Sequence, residues 1–238
     1  MAQVTLAMLA FYLVLILPGM QLWRSLRPPA APTLRSRPQR YLSTMREIAL
    51  LLLALAAVCW WDGHPPSALG LAAPSGIGLW ALAAAATMLL VLYFRGALRT
   101  HKMTREKRAE ALEQLSHEQG MPRTPAEMRL FFLLALCIGA GWELLYRGFL
   151  MMALSPLIGT WAAVVVAAVA YGTGHGYRNA KQFIGSIGMS LLFTVGYVLT
   201  SSLWWLMLLH VGLPLLTAVA HYHLRNGEAP PQSAPGPA

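Results

Sequence analysis

The sequence predicts an all-α fold, a polytopic transmembrane bundle of about seven spans with the N-terminus outside and the C-terminus inside. Three observations predict it. Hydrophobic residues make up 57% of the 238 residues and charged residues only 11%, against about 25% charged in an ordinary soluble domain. The apolar residues come in long blocks rather than as the one-sided stripe of a soluble amphipathic helix. Lys and Arg fall between the blocks, and only at every second connection.

A spanning helix needs about 20 mainly apolar residues. Seven blocks reach or approach that length: Val4 to Trp23, Ile48 to Trp61, Ile77 to Phe94, Leu130 to Leu154, Thr160 to His175, Phe183 to Leu199 and Leu203 to Tyr222. Hydrocarbon cannot satisfy free backbone groups, so each block must be a helix or part of a closed barrel. The blocks are too continuous for the alternating pattern of barrel strands.

Orientation follows from the basic residues. Arg24 to Arg46 and Arg95 to Arg129 are rich in Arg and Lys, Arg178 and Lys181 follow the fifth block, and Arg225 follows the last. The connections Asp62 to Gly76, Ser155 to Gly159 and Thr200 to Ser202 carry neither. Basic segments stay on the cytoplasmic side, which sets all seven directions at once. The net charge of +9 is thus mainly a topology signal, with the lipid bilayer as the partner of the basic stretches. Nucleic acid is excluded, since no soluble basic face with interleaved aromatics exists. The first block lacks a basic n-region and reads as a retained anchor. The chain is expected to be integral and multi-pass, in the cell (inner) membrane.

Three regions are expected: residues 1–128, with three spans and basic cytoplasmic loops; a core of four spans over 129–223; and a disordered tail rich in Pro and Ala over 224–238. Arg95 to Gly120 reads as a polar cytoplasmic or interfacial helix. Thr124 with Glu127 has the spacing of a capping box, and Pro125 suits a helix start. Cys59 and Cys137 lie in apolar blocks, and two cysteines give no disulfide framework. Trp60, Trp61, Trp204 and Trp205 suit an interface belt or packing. Gly185, Ser186 and Gly188 suit close helix packing.

Charges at mid-bilayer are costly and mark functional positions. Glu143 and Arg147 share a helix face at a spacing of four, and His175 and His210 lie on two further spans. A short outer loop places Glu143 level with Tyr171. His175 then sits about 6 Å deeper toward the cytoplasm, and His210 near the depth of Glu143. Three helices can bring one carboxylate and two imidazoles to one layer. A buried Glu with a His can activate water, and a second His can donate to an oxyanion. The same set could bind a metal. No HExxH is present, so no metal and no cofactor is assigned.

Glu143-Leu-Leu-Tyr-Arg147-Gly, Tyr171-Gly-Thr-Gly-His175 and the apolar segment Ser202 to His210 resemble, in order, the three motifs of the CAAX-protease and bacteriocin-processing (CPBP, or ABI) family of intramembrane glutamic proteases. The resemblance implies that Glu143 and His175 activate water and His210 stabilises the oxyanion. Arg147 would orient the Glu, and Tyr171 would support the site. It also implies an intramembrane endopeptidase whose partner is a membrane-anchored protein or peptide substrate. Two positions depart from the family pattern. The family shows two adjacent glutamates where this chain has Trp142-Glu143, and often Asn or Asp where it has Pro214. The alternative is therefore a catalytically impaired member acting as a membrane scaffold or partner-binding protein. A proton-coupled transporter is a third class, but no internal repeat supports it.

Overall fold

The structure is a computed structural model and describes residues 2–27, 36–116, 120–177 and 179–226. Of the tail expected to be disordered over 224–238, Leu224, Arg225 and Asn226 are helical; the rest of it, and Arg178 of the basic loop, lie outside the described residues. Among those residues, six helices are long and apolar enough to cross a membrane by length and composition. Helix α1 comprises Ala2–Phe11, a π turn Tyr12–Ile16 and Leu17–Leu26. Helix α2 is Arg37–Asp62, α3 is Gly76–His101 and the polar α4 is Arg105–Ser116. Helix α5 runs over Pro125–Ile158 with a second π turn at Leu144–Phe149. Helices α6 (Thr160–Gly174), α7 (Ala180–Thr200) and α8 (Trp204–Asn226) complete the order.

Helix α6 is the fifth of the seven apolar blocks. Its 15 residues extend about 22 Å at 1.5 Å each, less than the ~30 Å hydrocarbon core. Among the described residues there are thus six helices of spanning length and one shorter apolar helix, which matches the block Thr160 to His175 to within a residue. Most of the other helices begin or end beyond the apolar blocks, because the capping signals lie in the polar flanks. Ser36 caps α2 through a complete capping box, its side chain accepting from the Gln39 N–H while Gln39 reaches back to the Ser36 N–H. This starts α2 well before Ile48. At α5, Thr124 accepts from the Glu127 N–H at 3.2 Å. Glu127 returns to Arg123 N at 2.7 Å, one residue earlier than the box requires.

Helix α5 is the organising element. It packs against α2, α6 and α8, while α3 lies on α8 and α7 lies on α6. Close approach is set by glycine. An added Cβ at Gly139 would stand 2.8 Å from Val211 N and 3.0 Å from the His210 carbonyl carbon, so α5 and α8 touch backbone to backbone there. Between α6 and α7 the contact is made by Gly172, whose Cβ would stand 2.7 Å from Ile187 Cα. Gly185 and Gly188 have open space beside them, so the close-packing expectation is met by the partner helix instead. Ser186 still contributes, donating to the Gly172 carbonyl at 3.1 Å.

The exposed surface is apolar, as lipid contact requires. Trp60 and Trp61 stand out at the C-terminal end of α2, and Trp80 and Trp161 are exposed near the N-terminal ends of α3 and α6. Trp205 is partly buried, whereas Trp204 is exposed as well, and both are tethered through their indole N–H groups. The indole N–H of Trp204 donates to the Ala72 carbonyl and that of Trp205 to Thr200 Oγ1. Cys59 and Cys137 are free. At the opposite, basic end, Arg108 of α4 donates to the Leu224 and His223 carbonyls, a side-chain cap on the C-terminus of α8.

Candidate active site

Glu143 and Arg147 lie at the junction of α5 with its π turn, and neither exposes any surface. A π turn widens the backbone ladder and often marks a functional position. Here it keeps the two side chains paired, with Arg147 Nη1 at 3.2 Å from Glu143 Oε1. It also turns Tyr146 toward α1, where its hydroxyl donates to the Leu13 carbonyl at 3.0 Å. Leu13 belongs to the other π turn, so the two irregular turns face each other.

The guanidinium is held on every side. Arg147 Nε donates to Thr194 Oγ1 at 3.3 Å, and Nη2 reaches Ser190 Oγ at 3.1 Å. Thr194 in turn donates to the Ser190 carbonyl at 2.7 Å, which leaves its oxygen free to accept. The face of Tyr171 lies 4.0 Å from Arg147 Cζ, a cation–π contact. A buried ion pair is tolerable only when its remaining donors are satisfied. Ser190 and Thr194 supply that from α7. Sequence reasoning passed over both, although two hydroxyl residues four apart in an apolar span were a readable signal.

His210 meets the same carboxylate. Its Nδ1 lies 2.8 Å from Glu143 Oε1, which assigns the proton to Nδ1. Both donors use Oε1, while Oε2 is buried and has no partner among the described residues. The Tyr171 hydroxyl stands over the His210 ring, 3.0 Å from Nε2 and 3.3 Å from Nδ1. Pro214 lies inside α8 and has no N–H, so the His210 carbonyl four residues earlier loses its helical donor.

His175 caps the C-terminus of α6, its Nδ1 at 3.3 Å from the Tyr171 carbonyl. Its ring runs nearly parallel to that of His210, with centroids 6.2 Å apart, and packs edge-on to Tyr171 at 4.4 Å. The five residues named from sequence therefore form one cluster. Glu143 contacts Arg147 and His210 directly, while His175 joins through Tyr171. A cavity of about 210 Å³ opens beside them, lined by Leu17, Ile138, Trp142, Tyr146, Tyr171, Gly174 and His175. Trp142 thus faces the space that His175 faces, and Glu143 lies behind its wall. Among the described residues no group of three or more His, Cys, Asp or Glu side chains is arranged to hold a metal ion.

A helical membrane protein with a buried Glu–Arg–His cluster is the class that fold and site define. Residues 124–216 match the family model described as Rce1-like, type II CAAX prenyl endopeptidase. The segment covers all three motifs, and the family matched is the one the motifs resemble. Neither a curated protein nor a solved structure matches the chain.

Proposed function

We propose that this chain is an intramembrane endopeptidase that cleaves a membrane-anchored protein or peptide, with a prenylated C-terminal peptide as the substrate class the matched family suggests. The single observation that supports it best is the 2.8 Å contact between Glu143 Oε1 and His210 Nδ1. A carboxylate that fixes the imidazole tautomer leaves Nε2 as the basic nitrogen, and the pair can take a proton from an attacking water. The unpartnered Glu143 Oε2 offers a second acceptor for that water. His175, on the cavity wall, supplies a donor toward the substrate carbonyl. This exchanges the roles that the family resemblance implied for His175 and His210, because His210 is the imidazole that meets Glu143. Tyr171 keeps the two imidazoles in register. In this reading the helices cross seven times, with the basic segments on the cytoplasmic side.

The test is cleavage of a prenylated peptide by purified protein in vesicles, followed by mass spectrometry of the released fragment. Glu143→Gln and His210→Ala should each abolish cleavage while the protein still folds. Undiminished cleavage by Glu143→Gln would remove this mechanism.

A second reading is favoured by one observation. Trp142, where the family carries a glutamate, lines the cavity, whereas Glu143 exposes no surface. On that geometry the cavity binds a membrane-anchored partner without cleaving it. Binding of the same peptide with no product, unchanged in Glu143→Gln, is the result this reading requires.

A further inference from the structure

Three arginines converge at the basic end of the bundle from three different segments. Arg37 opens α2, Arg123 lies in the turn before α5, and Arg225 sits in the last turn of α8. Each acts electrostatically on His221, and Arg37 and Arg225 both act on Arg123. Desolvation first, then these two cations, hold the Arg123 guanidinium below its ordinary pKa. The carboxylate acting on Arg123 is Glu127, and one of its oxygens is already engaged by the Arg123 backbone N–H.

Two buried polar atoms at this place have no partner among the described residues. His221 is only 5% exposed; the Pro122 carbonyl acts on its ring, yet its Nδ1 makes no hydrogen bond among the described residues, and neither does Arg37 Nε. Buried donors and acceptors are normally paired, and three like charges around a buried imidazole repel one another. A multivalent anion answers both conditions. Two helix N-termini, those of α2 and α5, add their positive ends at the same side.

We propose that Arg37, Arg123, Arg225 and His221 form a phosphate-binding site that holds the headgroup of an anionic phospholipid. The guanidinium fork matches phosphate geometry. The lipid source is favoured by position, because the site terminates three membrane-length helices, α2, α5 and α8. Basic pockets between such helices recognise lipid headgroups by this chemistry. The proposal is independent of whether the chain cleaves peptides.

The test uses the full chain in nanodiscs of phosphatidylcholine with or without phosphatidylglycerol. Lipid retention is read by native mass spectrometry and the melting midpoint in parallel. Phosphatidylglycerol should be retained and should raise the midpoint. Arg123→Gln and Arg225→Gln should each weaken its apparent affinity about fivefold, and Arg99→Gln, an exposed charge on α3, should not. Equal losses in Arg99→Gln, or no preference for phosphatidylglycerol, would overturn the site. Protection by millimolar inorganic phosphate in pure phosphatidylcholine would support the site but name a soluble anion as its source. Arg123→Lys keeps the charge without the fork. It should melt as wild type in phosphatidylcholine and still lose phosphatidylglycerol retention, so a folding defect is separable from a binding one.

Discussion

Glu143 and His210 lie 67 positions apart in sequence and 2.8 Å apart in space, and the contact exists because α5 and α8 touch at Gly139. The glycine is one turn before Glu143, and the atoms it faces belong to His210 and Val211. A side chain there must push against backbone, which cannot yield as a rotamer can.

Gly139→Ala is therefore expected to separate the two helices at the level of the site. Overpacking of this kind costs about 1–3 kcal/mol. The melting midpoint in detergent should fall, and any cleavage should fall further than Gly185→Ala lowers it, since Gly185 has open space beside it. Equal effects at the two glycines would contradict the assignment.

The buried pair makes a second prediction. Arg147→Met leaves Glu143 as an uncompensated charge in a sealed site, which costs about 3–5 kcal/mol. Removing both charges, in Glu143→Leu with Arg147→Met, should be less damaging than Arg147→Met alone. Chemical denaturation of the four proteins of this cycle measures the coupling. Additive losses would mean that the two side chains act separately.

Much of this site was legible in the sequence, for a physical reason. Glu143, Arg147, His175 and His210 stand out because charge in an apolar block has to be justified, and loop lengths fix depth along each helix. Azimuth is what the sequence did not carry. The depth argument put His210 level with Glu143 and His175 about 6 Å deeper, and it is His210 that reaches the carboxylate; which face of each helix turns toward the other could not be read. The partners Ser190 and Thr194 were passed over despite their spacing of four, because hydroxyls cost less than charges in a membrane helix and stand out less. The two π turns were hidden because no residue pattern marks a widened turn.

Those π turns carry a third prediction. Tyr146→Phe removes the hydroxyl that joins Tyr146 to the Leu13 carbonyl and leaves that buried acceptor unpaired, a loss of about 1–3 kcal/mol. The effect should appear as faster hydrogen exchange over residues 9–17 and in the turn Leu144–Phe149, read by mass spectrometry. Unchanged protection in both segments would show that the turns hold their shape without this bond.

The last prediction concerns Trp142 and divides the two functional readings. Its ring lines the cavity that His175 and Tyr171 also line, and packs on Tyr146 at 5.8 Å between centroids. Trp142→Glu puts a carboxylate into that space, beside an exposed imidazole, where an entering water would meet both. General-base assistance is worth about 10²–10⁴-fold, so even a poorly aligned carboxylate should raise cleavage of a prenylated peptide at least about tenfold. The variant Trp142→Glu with Glu143→Gln then identifies the base. If the gain survives Glu143→Gln, the cavity position is the catalytic one, and the native chain with tryptophan there acts by binding. If Trp142→Glu gives no gain and Glu143→Gln alone abolishes native cleavage, the sealed carboxylate is the working base, and the site must open along Tyr146 and Trp142 to admit water.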